Sequence, residues 1–265
     1  MEKISCLMVS RPRAARLPLV RKSLESYARQ IYPHRELVVV IDIRASAEEQ
    51  AGLREAIEAI VPADVRIICP EQELTLGALR NISMAEAAGE VLCQWDDDDI
   101  HHPDRLSVQY DRMRESGCGV SYLVDAMLLN HRERKMYWTN WAQAPTGAHP
   151  GTLMCDADLV ARYPETGPLA QLSEDVTLLE ELERRGPIHR LAGVPHFYVY
   201  VTHPANTTTA AHHERLAREL GVSRGLLMRR EASLRENLAA FDFGGEVSIE
   251  GPNGPAFSVG SPVLV

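Results

Sequence analysis

Apolar and polar positions along the chain fall into a repeating alternation of strand and helix. Residues 4–9 form a short apolar run with the length of a buried strand. Residues 15–30 then carry Leu17, Val20, Leu24 and Tyr27 at helical spacing. A β-branched run at 36–42, ending on Asp42, predicts a second strand, and 47–60 a second helix. A third strand over 65–69 precedes a helix over 77–88, which Gly89 is placed to close. Residues 91–95 predict a fourth strand, and Pro103 stands where it could open the next helix. Four strand–helix alternations imply an α/β fold with a mostly parallel central sheet and helices on both faces.

After Gly117 the pattern changes. Residues 120–130 and 134–140 read as two longer strands joined by a polar turn at 131–133, and 151–155 as another strand. A helix is predicted over 174–185, with Val176, Leu178, Leu179 and Leu182 on its apolar face. Strands follow at 188–192 and 197–202, then a helical stretch over 212–240 interrupted at Gly221 and Gly225. The division expected is a domain over 1–243, with halves at about 1–116 and 117–243. A Gly- and Pro-rich tail over 244–265 reads as a small hairpin or a disordered end.

A net charge of −9 argues against generic nucleic-acid binding by phosphate neutralisation. Positive charge gathers locally at Arg11, Arg13, Arg16, Arg21 and Lys22, read as a solvated helix or a face for an anionic acceptor or membrane surface. The five cysteines have no C-x-x-C spacing, and the apolar stretch at the N-terminus is too short for a signal peptide. Reduced thiols and a cytoplasmic location, with possible peripheral contact at the inner membrane face, are the expectation.

The densest chemistry is Asp96-Asp97-Asp98-Asp99, directly after the apolar run 91–95. Runs of acids are usually solvated loops. Here the run is fused to a strand end, where ligands of open α/β sheets bind. Four adjacent carboxylates repel one another and call for a positive partner. A hard divalent cation shared with substrate phosphates would supply it. Asp42 ends a neighbouring strand, and Leu76-Gly77-Ala78-Leu79-Arg80-Asn81 opens a helix whose N-terminus favours anions.

These segments resemble the inverting family 2 glycosyltransferases of GT-A fold. The resemblance rests on Tyr27-Ala28-Arg29-Gln30-Ile31-Tyr32-Pro33 with the 36–42 strand, on Gly77-Ala78-Leu79-Arg80-Asn81 with Ala87-Ala88-Gly89-Glu90, and on Trp95-Asp96-Asp97-Asp98-Asp99 with Pro103. Ser173-Glu174-Asp175 and His203-Pro204-Ala205-Asn206-Thr207 complete it, and the match covers roughly 4–215. It implies a Rossmann-like nucleotide-binding half and an acceptor half with a small antiparallel sheet. It further implies a nucleotide diphosphate sugar as donor, most often with uracil as base, and Mn²⁺ or Mg²⁺ as cofactor. Asp42 would meet the base, although Ile41 stands where the family often has a second acid. Asp98 would bind the metal. Asp96 would contact metal or ribose, Asp97 could share that work, and Asp99 would point into the fold to brace the loop or cap the next helix. Arg80 would face the diphosphate, and His203 the diphosphate or the metal. Asp175 matches the catalytic base, with Glu174 beside it. The same Ser173-Glu174-Asp175 also reads as a helix cap with acids in its first turn.

His101 and His102 read as loop residues, Trp138 and Trp141 as core or sugar-stacking rings, and His149-Pro150-Gly151-Thr152 as part of the acceptor side. The acceptor would be a glycan, a lipid-linked molecule or a peptide, in polysaccharide or glycoconjugate assembly. Two other classes remain: a nucleotidyltransferase, which lacks here a Gly-rich loop with lysine after the first strand, and a non-catalytic nucleotide- or sugar-binding module, which would have little need for Asp175.

Overall fold

In the computed structural model of the chain, residues 1–61, 63–159, 161–206 and 208–260 are described. Strands β1 (Ile4–Ser10), β2 (Arg35–Ile41), β3 (Val65–Ile68) and β4 (Val91–Gln94) alternate with helices α1 (Leu17–Ala28), α2 (Ala47–Ile60) and α3 (Leu76–Ala85). A two-residue strand β5 (Ile100–His101) leads to α4 (Arg105–Glu115), β6 (Val120–Leu123), β7 (Asp125–Asn130), β8 (Lys135–Asn140) and β9 (Met154–Asp156). Then come α5 (Glu174–Arg185), β10 (His189–Leu191), β11 (Tyr198–Thr202), α6 (Ala210–Leu220), α7 (Arg224–Arg229), α8 (Glu231–Leu238), β12 (Val247–Gly251) and β13 (Gly254–Val259).

One sheet has seven strands in the order β10-β6-β9-β4-β1-β2-β3. β4, β1, β2 and β3 are parallel, and β9 enters antiparallel between β4 and β6. The continuous apolar sequence of β2 follows from burial on both faces: Leu37, Val38, Val39, Val40 and Ile41 are all 0% exposed. Each such side chain contributes roughly 1.5–3 kcal/mol of burial free energy. Leu37, Val39 and Ile41 pack with Leu24 of α1, Leu53 of α2 and Leu106 of α4. Val38 packs on the opposite face, with Leu178, Leu179 and Leu182 of α5.

The second sheet has six strands in the order β13-β12-β8-β7-β11-β5. It is mixed rather than the small antiparallel sheet expected: β7 runs parallel to β11 and β8 parallel to β12. The predicted strand over 120–130 is cut at Val124, because β6 belongs to the first sheet and β7 to the second. The chain changes sheets where Val124 N–H donates to the Leu191 carbonyl at 2.8 Å. The described part of the 244–265 stretch is a hairpin, with Val247, Ile249 and Val259 in the core beneath Leu227, Leu234 and Leu238. Ser261 to Val265 lie outside the described residues.

Several boundaries differ from expectation. α3 ends before Gly89, which is needed instead for close approach to β1: a Cβ there would stand 2.5 Å from the Lys3 carbonyl oxygen. Pro103 precedes the first helical residue, Arg105, by two positions. The helical stretch after 209 does break at Gly221, but Gly225 lies inside α7 and the second break falls at Arg230. No helix among the described residues is long and apolar enough to cross a membrane.

Candidate active site

Because β4, β1 and β2 are parallel neighbours, their C-terminal ends share one edge. A cleft of about 670 Å³ opens along it. Arg11, Arg13 and Arg16 of the β1–α1 loop, Asp42 and Arg44 after β2, and the four aspartates after β4 line this donor edge. Trp141, His149, Gly151, Glu174, Asp175, Tyr198 and Tyr200 also line the cleft. Pro204, Ala205, Asn206, Thr208, and His212 and Leu216 of α6 complete the lining.

The four carboxylates are split among different partners. Asp96 meets Arg80 Nη1 at 3.0 Å, and its Oδ2 accepts from Gln94 Nε2 at 3.0 Å. Asp97 accepts from Arg16 Nη2 at 2.5 Å and from Ser10 Oγ at 2.6 Å. Asp98 Oδ2 receives Arg16 Nη2 at 3.0 Å, His203 Nε2 at 2.9 Å and Asn206 Nδ2 at 3.4 Å. Asp99, 1% exposed, turns into the fold and accepts from Tyr198 Oη and, at 2.8 Å, from Val201 N–H. Pairing of β5 with β11 brings those two donors to it. The positive partners that the sequence demanded are therefore, in the first instance, Arg16 and Arg80, brought in by the fold.

Burial pushes Asp97 up to about 6, with Arg16 opposing it and the Asp98 charge adding to it. Burial would raise Asp98 too, but the His203 hydrogen bond and the Arg16 charge hold it below the usual carboxylate range. Asp99 lies well above that range through burial and the neighbouring Asp98 and Asp96 charges. Such unequal environments within one run are what separate working acids from structural ones.

Arg80 was expected to face a phosphate. Its guanidinium is instead held between Asp96 and the 5%-exposed side chain of Glu174, with Nε 3.0 Å from Glu174 Oε1. It couples the end of β4 to the start of α5. Glu174 is buried against it, and burial raises the Glu174 carboxyl while Arg80 opposes. Asp175 faces the cleft from the first turn of α5, and its Oδ1 accepts from Val176 N–H at 2.8 Å. Burial raises Asp175 as well, against the pull of Arg80 and with help from Asp96. The cap reading of Ser173 fails: the residue is left-handed at φ 66° and its side chain caps nothing. A serine held there stores about 1–3 kcal/mol of strain directly before the acid.

Asp42 lines the cleft, tied to Arg44. His203 Nδ1 accepts from Ala205 N–H at 3.2 Å, which leaves the Nε2 proton for Asp98. Thr207 lies outside the described residues. Asp96 and Asp98, expected as a metal pair, do not converge on a shared partner, and no three His, Cys, Asp or Glu side chains cluster as a metal cage among the described residues. Asp98 alone still fits Mg²⁺ or Mn²⁺, which often take one carboxylate plus phosphate oxygens and water.

Other expectations need correction. His101 is not a loop residue: it ends β5, fully buried, with its ring tilted against Trp95 at 3.8 Å between centroids and bonded to Arg105; His102 does lie in the loop before α4, but is only 8% exposed. Trp138 is core, donating to Asp125 at 2.7 Å, while Trp141 reaches the cleft. His149 sits among Trp141, Tyr198 and Tyr200, with Nδ1 accepting from Gly151 N–H. Missed by sequence reasoning were Arg44 and the entry of Arg11, Arg13 and Arg16 into the cleft. Their position directly after β1 and β2, whose ends meet the ligand edge, was the available signal.

Among solved structures, the chain resembles residues 1–349 of S. aureus TarS in complex with UDP-GlcNAc, at 14% identity and TM-score 0.59, covering 89% of this chain and 73% of that one. The same TarS region in complex with UDP matches at 17% identity and TM-score 0.59, covering 89% and 74%. The mannosyltransferase PcManGT from Pyrobaculum calidifontis, in complex with GDP-Man and Mn²⁺, matches at 16% identity and TM-score 0.56, covering 90% and 63%. These are GT-A glycosyltransferases, and the likeness establishes the fold. A search of curated proteins finds no match. Residues 12–146, just over half of the chain and including Asp42, Arg80 and all four aspartates, match the family described as Glycosyl transferase family 2, and the chain belongs to that family.

Proposed function

We propose that the protein is a metal-dependent, inverting glycosyltransferase that moves a sugar from a nucleoside diphosphate sugar to an acceptor hydroxyl. The observation that carries this is a single cleft lined by Asp98, the β1–α1 arginines and Asp175. A site built only to bind a nucleotide has no use for a further carboxylate raised by burial in the same cleft.

Asp98 would hold the cation, and Arg11 and Arg13, whose guanidinium groups have no carboxylate partner among the described residues, flank the diphosphate position. When bound, Mg²⁺ or Mn²⁺ supplies Lewis-acid stabilisation of the charge that builds on the departing diphosphate. His203, whose Nε2–H donates to Asp98 Oδ2, holds that carboxylate in place for the cation. Asp175, with Oδ1 anchored by Val176 N–H, takes the acceptor proton on Oδ2 as the acceptor oxygen attacks the anomeric carbon. Direct displacement breaks the sugar–phosphate bond from the opposite face and inverts the centre. Trp141, Tyr200 and His149 give the acceptor an aromatic wall suited to a glycan or glycoconjugate.

The test is a panel of nucleoside diphosphate sugars with Mn²⁺, scored for nucleoside diphosphate release and, with a found acceptor, for product anomer by NMR. Turnover of one donor with inversion is expected. Retention of configuration would remove the single-displacement mechanism, and inertness towards every donor would remove the activity.

A further inference from the structure

The base end of the cleft does not offer what Asp42 alone would offer. Asp42 Oδ1 accepts from Arg44 backbone N–H at 3.0 Å and from Arg44 Nε at 2.9 Å. Its Oδ2 accepts from the same Nε at 2.9 Å and from Nη2. Three N–H protons of one residue thus engage both oxygens, the Nε proton being shared between them, out of about four lone-pair sites. What reaches the cleft is the guanidinium: the Arg44 side chain is 28% exposed and that of Asp42 only 3%. Arg44 Nη1 makes no hydrogen bond among the described residues.

Strand order fixes what meets that group. β4, β1 and β2 are adjacent, so the ends of β4 and β2 lie about 10 Å apart at ordinary strand spacing. That distance matches the reach from a diphosphate to its base. The β1 loop, with Arg11 and Arg13, lies between them. A nucleotide with its diphosphate at Asp98 therefore sets its base edge against Arg44.

We infer that Arg44, locked by Asp42, selects a base with two adjacent acceptors, guanine through O6 and N7 or cytosine through N3 and O2, over uracil. The inference rests on the nucleoside diphosphate reading above. A guanidinium fork matches guanine O6 and N7. Uracil sets N3–H between its two carbonyls, and that proton would face the N–H donors of Arg44, while the Asp42 side chain, 3% exposed behind them, is out of its reach. Adenine pairs its N7 with an amino donor and meets the same conflict. This departs from the uracil expected of Asp42 on the sequence.

The test is calorimetric titration of the protein with GDP, UDP, CDP and ADP in Mn²⁺. GDP and CDP should bind about ten- to hundredfold tighter than UDP and ADP. Arg44→Ala frees Asp42 to accept N3–H, so GDP should weaken and UDP tighten until the preference is lost or reversed. Arg44→Lys, which keeps the charge without the fork, should lose the preference and guards against misfolding of the alanine variant. UDP or ADP binding as tightly as GDP and CDP to the wild type overturns the inference, as does a preference over UDP unchanged in both variants. Failure of all four nucleotides to bind removes the nucleotide reading itself, a distinct outcome.

Discussion

Replacing Arg80 by methionine leaves Asp96 and Glu174 facing each other without the guanidinium that separates them. The Glu174 side chain is 5% exposed, so it cannot regain water; the Asp96 side chain is 22% exposed and partly can. Stranding one member of a buried ion pair costs about 3–5 kcal/mol. Asp96 can rehydrate and Glu174 can take up a proton, which places the loss nearer the lower end, about 3 kcal/mol. For a chain of this size that corresponds to a fall in melting temperature of roughly 6–12 °C. The sign of the pH dependence follows. With Arg80 gone, the folded-state pKa of Glu174 lies further above its unfolded value, so the folded state binds more protons. The variant's deficit should shrink as pH falls from 7.5 towards 5 and grow as it rises. Urea denaturation of wild type and Arg80→Met at both pH values measures this, and adding Glu174→Gln should recover at least half of the loss. An Arg80→Met variant within 0.5 kcal/mol of wild type at pH 7.5 would refute the reasoning, because routine surface substitutions stay within about that range.

Asp175→Asn should lower kcat by about 10²–10⁴ while donor affinity stays within about twofold, since the residue acts on the acceptor proton. Single-turnover kinetics beside donor titration separates the two, and retained kcat would remove Asp175 as base. His149 is pushed down to about 3 by burial and, further, by the Arg105 charge, and His213 to about 4 by burial and by His212. Both stay neutral in the folded protein while the unfolded chain takes up protons below about 6.5. Their stabilising contribution is complete above that pH and falls by up to about 1.4 kcal/mol per residue for each pH unit below it. Histidine NMR signals from these two that titrate between pH 6 and 7 would contradict the assignment.

The parallel half of the fold was legible because β1, β2 and β4 are buried on both faces and so read as unbroken apolar runs. The break at Val124 was not: the sequence is equally apolar on either side, and only the change of sheet divides it. A strand was expected at 151–155, where β9 covers Met154–Asp156, but its antiparallel insertion between β4 and β6 has no local signature. Gly89 looked like a cap because a cap and a close backbone approach both require the missing Cβ. At the site, the acids were visible as a charge problem, and the 1%-exposed Asp99 bracing the loop from within agrees with its expected place. Their distribution among Arg16, Arg80, His203 and Tyr198 was hidden, because each partner is brought from a distant part of the chain by the sheet order. Arg44 was overlooked as a loop residue, yet two positions beyond Asp42 is close enough to engage both its oxygens.

The central claim is that Asp98 holds a divalent cation against the diphosphate of a sugar nucleotide. It is tested most directly by titrating the best donor into wild-type protein and Asp98→Ala, each with Mn²⁺ and with EDTA. Tight binding by the wild type only with Mn²⁺, and weak metal-independent binding by Asp98→Ala, is the result predicted. Equal donor affinity with and without the metal in the wild type, or undiminished metal-dependent binding in Asp98→Ala, would contradict it.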